Sequence, residues 1–219
     1  MSTQMSKDVG CPKCGAALRT QMWPGICAQE NPGLRARILD ETIFDWKCPE
    51  CGYSAQFVYP CLYHDRERKF MVYLVPDGSE KEFQPVDVGQ KFPQLAPVTK
   101  RVVSSPAELK EKILIFEAGL DDRAVELVKY ALAGVLEEKR GKKAVRGYFS
   151  FADESENRIG FAFFPEGEKD PVLRRTSMDA YRKSLEIVKG QDIPASNSFF
   201  PVDAVTAQDI LNKYRESAK

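Results

Sequence analysis

Four cysteines stand in two copies of one short motif, Cys11-Pro12-Lys13-Cys14-Gly15 and Cys48-Pro49-Glu50-Cys51-Gly52. Two residues between the sulfurs let both reach one ion at about 2.3 Å. Proline presets the turn, and the glycine after the second cysteine permits the positive φ that such a knuckle needs. Two knuckles supply four thiolates, a closed tetrahedral set suited to zinc. Cys11, Cys14, Cys48 and Cys51 are therefore the expected ligands, with zinc as the cofactor. A closed set leaves no position for a reactive water, so the expected role is structural rather than catalytic. The 33 residues between Cys14 and Cys48 exceed the usual spacing of a zinc ribbon. Closing a ring of that length costs on the order of 3 kcal/mol, against roughly 10–16 kcal/mol of apparent binding for structural zinc. The competing reading is a thiol redox protein using the Cys-Pro-x-Cys pairs. That chemistry wants a helix opening at the first cysteine. Gly15 and Gly52 would then sit inside helices at about 1 kcal/mol each relative to Ala, and Tyr53, Phe57, Val58 and Tyr59 favour a strand.

His64 is the sole histidine, so any imidazole chemistry must use it. Tyr63, His64 and Asp65 make a candidate functional turn, the basis of an alternative reading as an enzyme of unknown reaction. Adjacent residues of an extended chain face opposite sides, so His64 and Asp65 converge only if the backbone turns. The structural alternative has His64 capping a turn before Arg66. Cys61 and His64 are disfavoured as nucleophile and base, because residues three apart on a strand also face opposite ways. Cys27 reads as a small core residue, and Trp23 and Trp46 as packing anchors. The chain has no G-x-G-x-x-G, no phosphate-binding loop motif and no G-x-S-x-G elbow.

The elements that must position these residues follow from pattern. Asn31 and Pro32 predict the start of a short helix, Pro32 to Leu39. Thr42 to Lys47 and Ser54 to Tyr59 read as strands entering and leaving the second knuckle. Lys69 to Val75 is apolar on both faces and reads as a central, covered strand. Pro76 to Pro97 is a long connection with an edge strand near Phe83 to Val88. Arg101 to Val103 reads as a further short strand. Ser105-Pro106-Ala107-Glu108 has the form of a capping box, and Leu109, Ile113 and Phe116 follow at helical spacing to Gly119. Asp121 caps a second helix, with Val125, Val128, Leu132 and Val135 on one stripe and Gly141 as its stop. The two are expected to form an antiparallel helical pair. Val145 to Phe151 and Arg158 to Phe164 flank a polar loop as a hairpin. Met178, Tyr181, Leu185 and Val188 mark another helix, ending at Gly190. Thr206 to Asp209 is a capping box for a last one.

The chain has 219 residues, with 32 basic and 32 acidic side chains and 43% hydrophobic residues, the proportions of an ordinary globular protein. No stretch approaches the roughly 18 apolar residues of a membrane span, and the polar start (Met1 to Gly10) lacks the apolar core of a signal peptide. The expected setting is cytoplasmic, with no membrane partner. No region is a basic footprint, so nucleic acid is disfavoured as a partner. The cluster Lys139, Arg140, Lys142, Lys143 and Arg146 reads as a solvated helix end whose cations suit the helix dipole.

The two knuckles, together with Tyr59-Pro60-Cys61-Leu62-Tyr63-His64-Asp65 and Phe70-Met71-Val72-Tyr73-Leu74-Val75-Pro76, make the chain resemble the prokaryotic CpXC domain, a family named for its paired Cys-Pro-x-Cys motifs. The resemblance extends through Glu108 to Ile113 and Asp121 to Arg123 and covers roughly residues 8–140. It implies a zinc-binding domain of bacterial and archaeal proteins and supplies no reaction. The family pattern has an apolar residue where this chain has Cys61, so Cys61 is not expected as a ligand. The fold class expected is α+β: a zinc-ribbon-like N-terminal unit with a small antiparallel sheet and a helical pair (residues 1–140), followed by a smaller α+β C-terminal region (residues 141–219). The function expected is a zinc-stabilised binding or interaction module for an unknown protein or small-molecule partner. A third reading, single-strand nucleic-acid binding through aromatics on the ribbon, predicts a steep salt dependence.

Overall fold

The computed structural model of the chain describes residues 2–77, 92–191 and 198–217. The expected edge strand at residues 83–88 lies outside them. The chain is α+β and divides into two units, the described residues of Met1–Lys110 with Asn197–Phe200, and those of Glu111–Ser196 with Pro201–Lys219.

In the first unit the chain runs β1 (Thr3–Gly10), β2 (Ala17–Cys27), α1 (Pro32–Leu39), β3 (Asp45–Lys47), β4 (Ser54–Gln56), β5 (Cys61–Asp65), β6 (Phe70–Leu74) and β7 (Thr99–Val103). Five strands form one sheet in the order β1-β2-β5-β6-β7, while β3 and β4 pair as a separate hairpin. The expected antiparallel sheet is instead mixed: β2–β5 and β6–β7 are parallel. Parallel neighbours need long crossovers, and the β2–β5 connection supplies one, carrying α1 and the β3–β4 hairpin. β6 is internal, as its two apolar faces require: Phe70, Val72 and Leu74 are buried and Met71 and Tyr73 half-buried. Tyr63 stacks on Phe70 across the β5–β6 pair, with ring centroids 5.9 Å apart. The polar groups buried on β7 are satisfied. Lys100 Nζ donates to the carbonyls of Leu95 and Val98, and the Arg101 guanidinium lies 4.3 Å from the Phe200 ring centre.

Helix α2 (Pro106–Glu117) crosses the boundary between the units. The Ser105 hydroxyl accepts the Glu108 N–H at its start, as the capping box anticipates. The second unit continues with α3 (Asp122–Arg140), β8 (Ala144–Asp153), β9 (Arg158–Pro165), β10 (Val172–Ser177), α4 (Met178–Lys189) and α5 (Ala204–Ser217). The Asp121 carboxylate accepts the Arg123 N–H to cap α3, and Gly141 closes that helix at φ +64°. The close backbone neighbours of α3 are α4, α5 and β8 rather than α2. Side chains link α2 to α3, Lys112 to Asp122 and Glu111 to Lys129.

The β8–β9 hairpin forms as its alternation predicts, and β10, not expected from sequence, adds on the far side of β9. The inner sheet face (Phe149, Ile159, Phe161, Phe163) joins Val125, Val128, Met178 and Tyr181 in one core. Helix α5 starts three residues earlier than the Thr206 box implies, and the Asp203 carboxylate caps it by accepting the Thr206 N–H.

Candidate metal centre

Each of two hairpins in the first unit turns through a cysteine knuckle. β1 runs into Cys11 and the chain returns as β2, while β3 runs into Cys48 and returns as β4. Both turns repeat one hydrogen-bond pattern. Gly15 N–H donates to the Cys11 carbonyl at 2.8 Å and Gly52 N–H to that of Cys48 at 2.9 Å; Cys11 N–H donates to Ala16 at 2.9 Å and Cys48 N–H to Tyr53 at 2.8 Å. Gly15 and Gly52 sit at φ +75° and +70°. The space around both is open, so the backbone angle and not crowding requires glycine there. Neither motif opens a helix, since both are turns between strands. The Trp46 indole N–H donates to the Thr20 hydroxyl at 3.0 Å, tying β3 to β2.

These two turns bring all four sulfurs within 4.8 Å of one another. Cys11 lies 3.7 Å from Cys51, and Cys14 lies 3.7 Å from Cys48. Sulfurs at the corners of a tetrahedron, each about 2.3 Å from a central zinc, would be about 3.8 Å apart. Both short contacts cross between knuckles, so neither knuckle forms a site by itself. Cys11 and Cys48 are buried, Cys51 is half-buried and Cys14 exposed.

Charge explains why the cluster calls for a cation. Burial works to raise the Cys11 thiol, but the backbone N–H groups of Cys14 and Lys13 outweigh it and bring it down to about 7. The Tyr53 N–H favours a Cys51 thiolate, yet burial and the three neighbouring thiols push that group up to about 12. The Cys14 thiol also lies above its ordinary value: the Ala16 N–H lowers it, and burial with its Cys11 and Cys48 neighbours overrides that. One sulfur ionises readily and its neighbours resist, the behaviour of like charges crowded into one place. A dication at the centre reverses that resistance.

The other candidates are not drawn into this cluster. Tyr63, His64 and Asp65 end strand β5 and do not form a turn. Cys61, Tyr63 and Asp65 are buried on one face while Leu62 and His64 are half-buried on the other. His64 therefore points away from Asp65, and burial followed by the nearby Arg66 charge holds the imidazole below its usual range. Asp65, not His64, caps the turn that follows. One carboxylate oxygen accepts the Glu67 and Arg68 N–H groups at 3.0 and 2.9 Å and the Gln29 amide at 2.7 Å, and the other accepts the Arg68 guanidinium at 3.0 Å. The sequence signal for that anchor, an aspartate before a polar run, was available. Cys27 and Cys61 are fully buried, and Cys61 donates to the Trp23 carbonyl at 3.1 Å. Sequence reasoning also missed β1 and β2, the strands that carry the first knuckle.

Among curated proteins and solved structures none matches the chain. The family model described as CpXC protein matches residues 9–129, more than half of the 219, and takes in both knuckles and the strand bearing His64. With four cysteines gathered from two copies of the motif that gives the family its name, the chain belongs to the CpXC protein family.

Proposed function

We propose that Cys11, Cys14, Cys48 and Cys51 hold one zinc ion as a closed structural centre, and that the unit so fastened serves as a binding or interaction module rather than an enzyme. The observation that carries this reading is the pair of 3.7 Å sulfur contacts, each crossing between the knuckles. Those distances suit a four-thiolate shell and leave no coordination position for a substrate or water. Hard cations prefer oxygen donors, and four sulfurs select a soft or borderline ion. Two hairpins whose turns bring their cysteines together support the reading as a zinc-ribbon-like unit. Thiolates persist in reducing compartments, which supports a cytosolic setting. The redox alternative lacks the helix that would activate its first cysteine. The catalytic alternative lacks convergence, since His64 and Asp65 occupy opposite faces of β5.

Metal analysis of protein purified without chelator, together with a count of reactive thiols, tests the proposal. One zinc per chain is expected, with four thiols becoming reactive once it is extracted. Four fast-reacting thiols and no metal in the untreated protein would falsify it.

A further inference from the structure

The second unit carries an open face on the side of its sheet away from the core. Strand alternation and register place Arg146, Tyr148, Phe151, Phe164, Leu173 and Arg175 on that face. Phe151 is 36% and Leu173 61% exposed, and both arginines are exposed. The middle strand contributes Gly160 and Ala162 between the rings, so the floor is low. The Phe151 ring occupies the place a Gly160 Cβ would take, which lays it flat on the sheet. Tyr148 and Phe164 meet edge to face at 5.9 Å, and the Arg175 guanidinium lies 5.7 Å from the Phe151 ring centre.

Two arginines give the face its positive charge. Among the described residues neither Arg146 nor Arg175 has a carboxylate partner. The nearest acid on the outward row, Asp153 at the strand's end, is engaged by the Ser155 hydroxyl and the Glu156 N–H. Just before β8, Lys142 pairs with Glu168 at 3.1 Å, and Lys143 follows it. The Phe151 ring beside the small floor, the Tyr148–Phe164 edge-to-face pair and two exposed arginines make a surface for planar aromatic groups joined by anions. An acidic peptide would meet the arginines but would leave the rings without stacking partners. A duplex would find no ridge here to enter a groove.

We propose that this face binds single-stranded nucleic acid, with bases stacked on Phe151 and on the Tyr148–Phe164 pair and backbone phosphates held by Arg146 and Arg175. The one basic sequence cluster runs up to Arg146, but near-neutral overall composition hides the site because sheet pairing assembles it from β8, β9 and β10. It is independent of the metal centre, which lies in the other unit.

The test uses the full chain, purified without chelator, and fluorescently labelled oligo-U and oligo-dT of about twelve nucleotides, a length that spans such a site. Anisotropy should report binding whose affinity falls with salt at a logarithmic slope of about −1.4, from two phosphate contacts at about −0.7 each. Phe151→Ala and Phe151→Leu should each weaken binding about tenfold through lost stacking. Arg146→Ala with Arg175→Ala should flatten the salt slope. Melting curves matching the parent protein establish that these variants fold. No anisotropy change at low salt overturns the proposal. So does equal affinity for duplex, parent-like binding by Phe151→Leu, tighter binding of a poly-glutamate probe, or self-association that Phe151→Glu abolishes. Zinc content measured on the same preparation separates the two readings: zinc-free protein that still binds oligonucleotide would refute the metal centre and leave this face standing.

Discussion

Extraction of the metal should release the two amino-terminal hairpins from each other, and the structure sets the size of the effect. A tetrahedron whose edges all matched the two 3.7 Å contacts would have its centre about 2.3 Å from each corner, the length of a zinc–thiolate bond. X-ray absorption at the zinc edge should therefore show one shell of four sulfurs near that distance and no nitrogen or oxygen. Structural zinc contributes roughly 10–16 kcal/mol of apparent binding free energy, as much as the roughly 5–15 kcal/mol net stability of a whole domain. A strong chelator should thus unfold the first unit at a temperature where the holo form is stable. Both tryptophans, Trp23 and Trp46, belong to that unit, and Trp46 bonds across the hairpins to Thr20. Indole emission is therefore a local reporter and should shift to the red as metal leaves. An oxygen or nitrogen shell, fewer than four sulfurs, or unchanged emission and melting after complete extraction would refute the reasoning.

Near neutral pH the Cys14 and Cys51 thiols keep their protons, because both lie above the ordinary thiol range. Zinc must then displace at least two protons, so its apparent affinity should strengthen at least about a hundredfold per pH unit, read by competition with a chromophoric chelator; a pH-independent affinity would contradict thiolate ligation. Asp65→Ala should cost about 2 kcal/mol or more by stranding three N–H donors. Burial raises the Asp65 carboxyl, but the Arg68 N–H and Gln29 overcome it and hold the group below its usual value. Its contribution is therefore complete above the unfolded pKa of about 3.9 and fades as pH falls through the folded value, so urea midpoints of parent and variant should converge in strong acid. Lys129→Met removes the ammonium shared by Glu111 and Glu126 and should cost about 3–5 kcal/mol. Burial already raises the Glu126 carboxyl and Lys129 works against it, so without that cation Glu126 holds its proton more tightly in the folded state; the deficit should therefore shrink on acidification, and a deficit constant from pH 7 to about pH 5 would rule out charge as its cause.

The second unit was legible because its residues announce their periods. Asp121 and Gly141 bracket α3, and the alternation of β8 and β9 survives burial intact. What escaped were strands without that contrast. Seven of the eight β1 residues are exposed, so neither face carries an apolar stripe for a period of two to reveal. β2 contains Pro24, which lacks an N–H to donate, and the β1–β2 register slips there. β10 lies at a sheet edge, with Arg174 and Arg175 where an internal strand would carry apolar residues. Parallel pairing is a tertiary choice that no local pattern encodes. At the Tyr63-His64-Asp65 step the turn is anchored by the Asp65 carboxylate and not by His64, because strand alternation carries the imidazole to the opposite face.

The metal ligands were legible for a different reason, which also says why the metal sits where it does. A knuckle is fixed by covalent spacing and one positive φ, so its signal survives without hydrophobic context. That context is what the first unit lacks near its hairpins. β1 buries almost nothing, and β3 and β4 are three residues each, too short to hold together in water without a covered face. The second unit places aromatic and aliphatic side chains from four helices and a sheet in one core and needs no such fastening. Zinc and apolar burial thus act as substitutes, each used where the other is missing. The order is testable within one molecule, because chelator should loosen the hairpins while amide protection in the Phe161 strand persists.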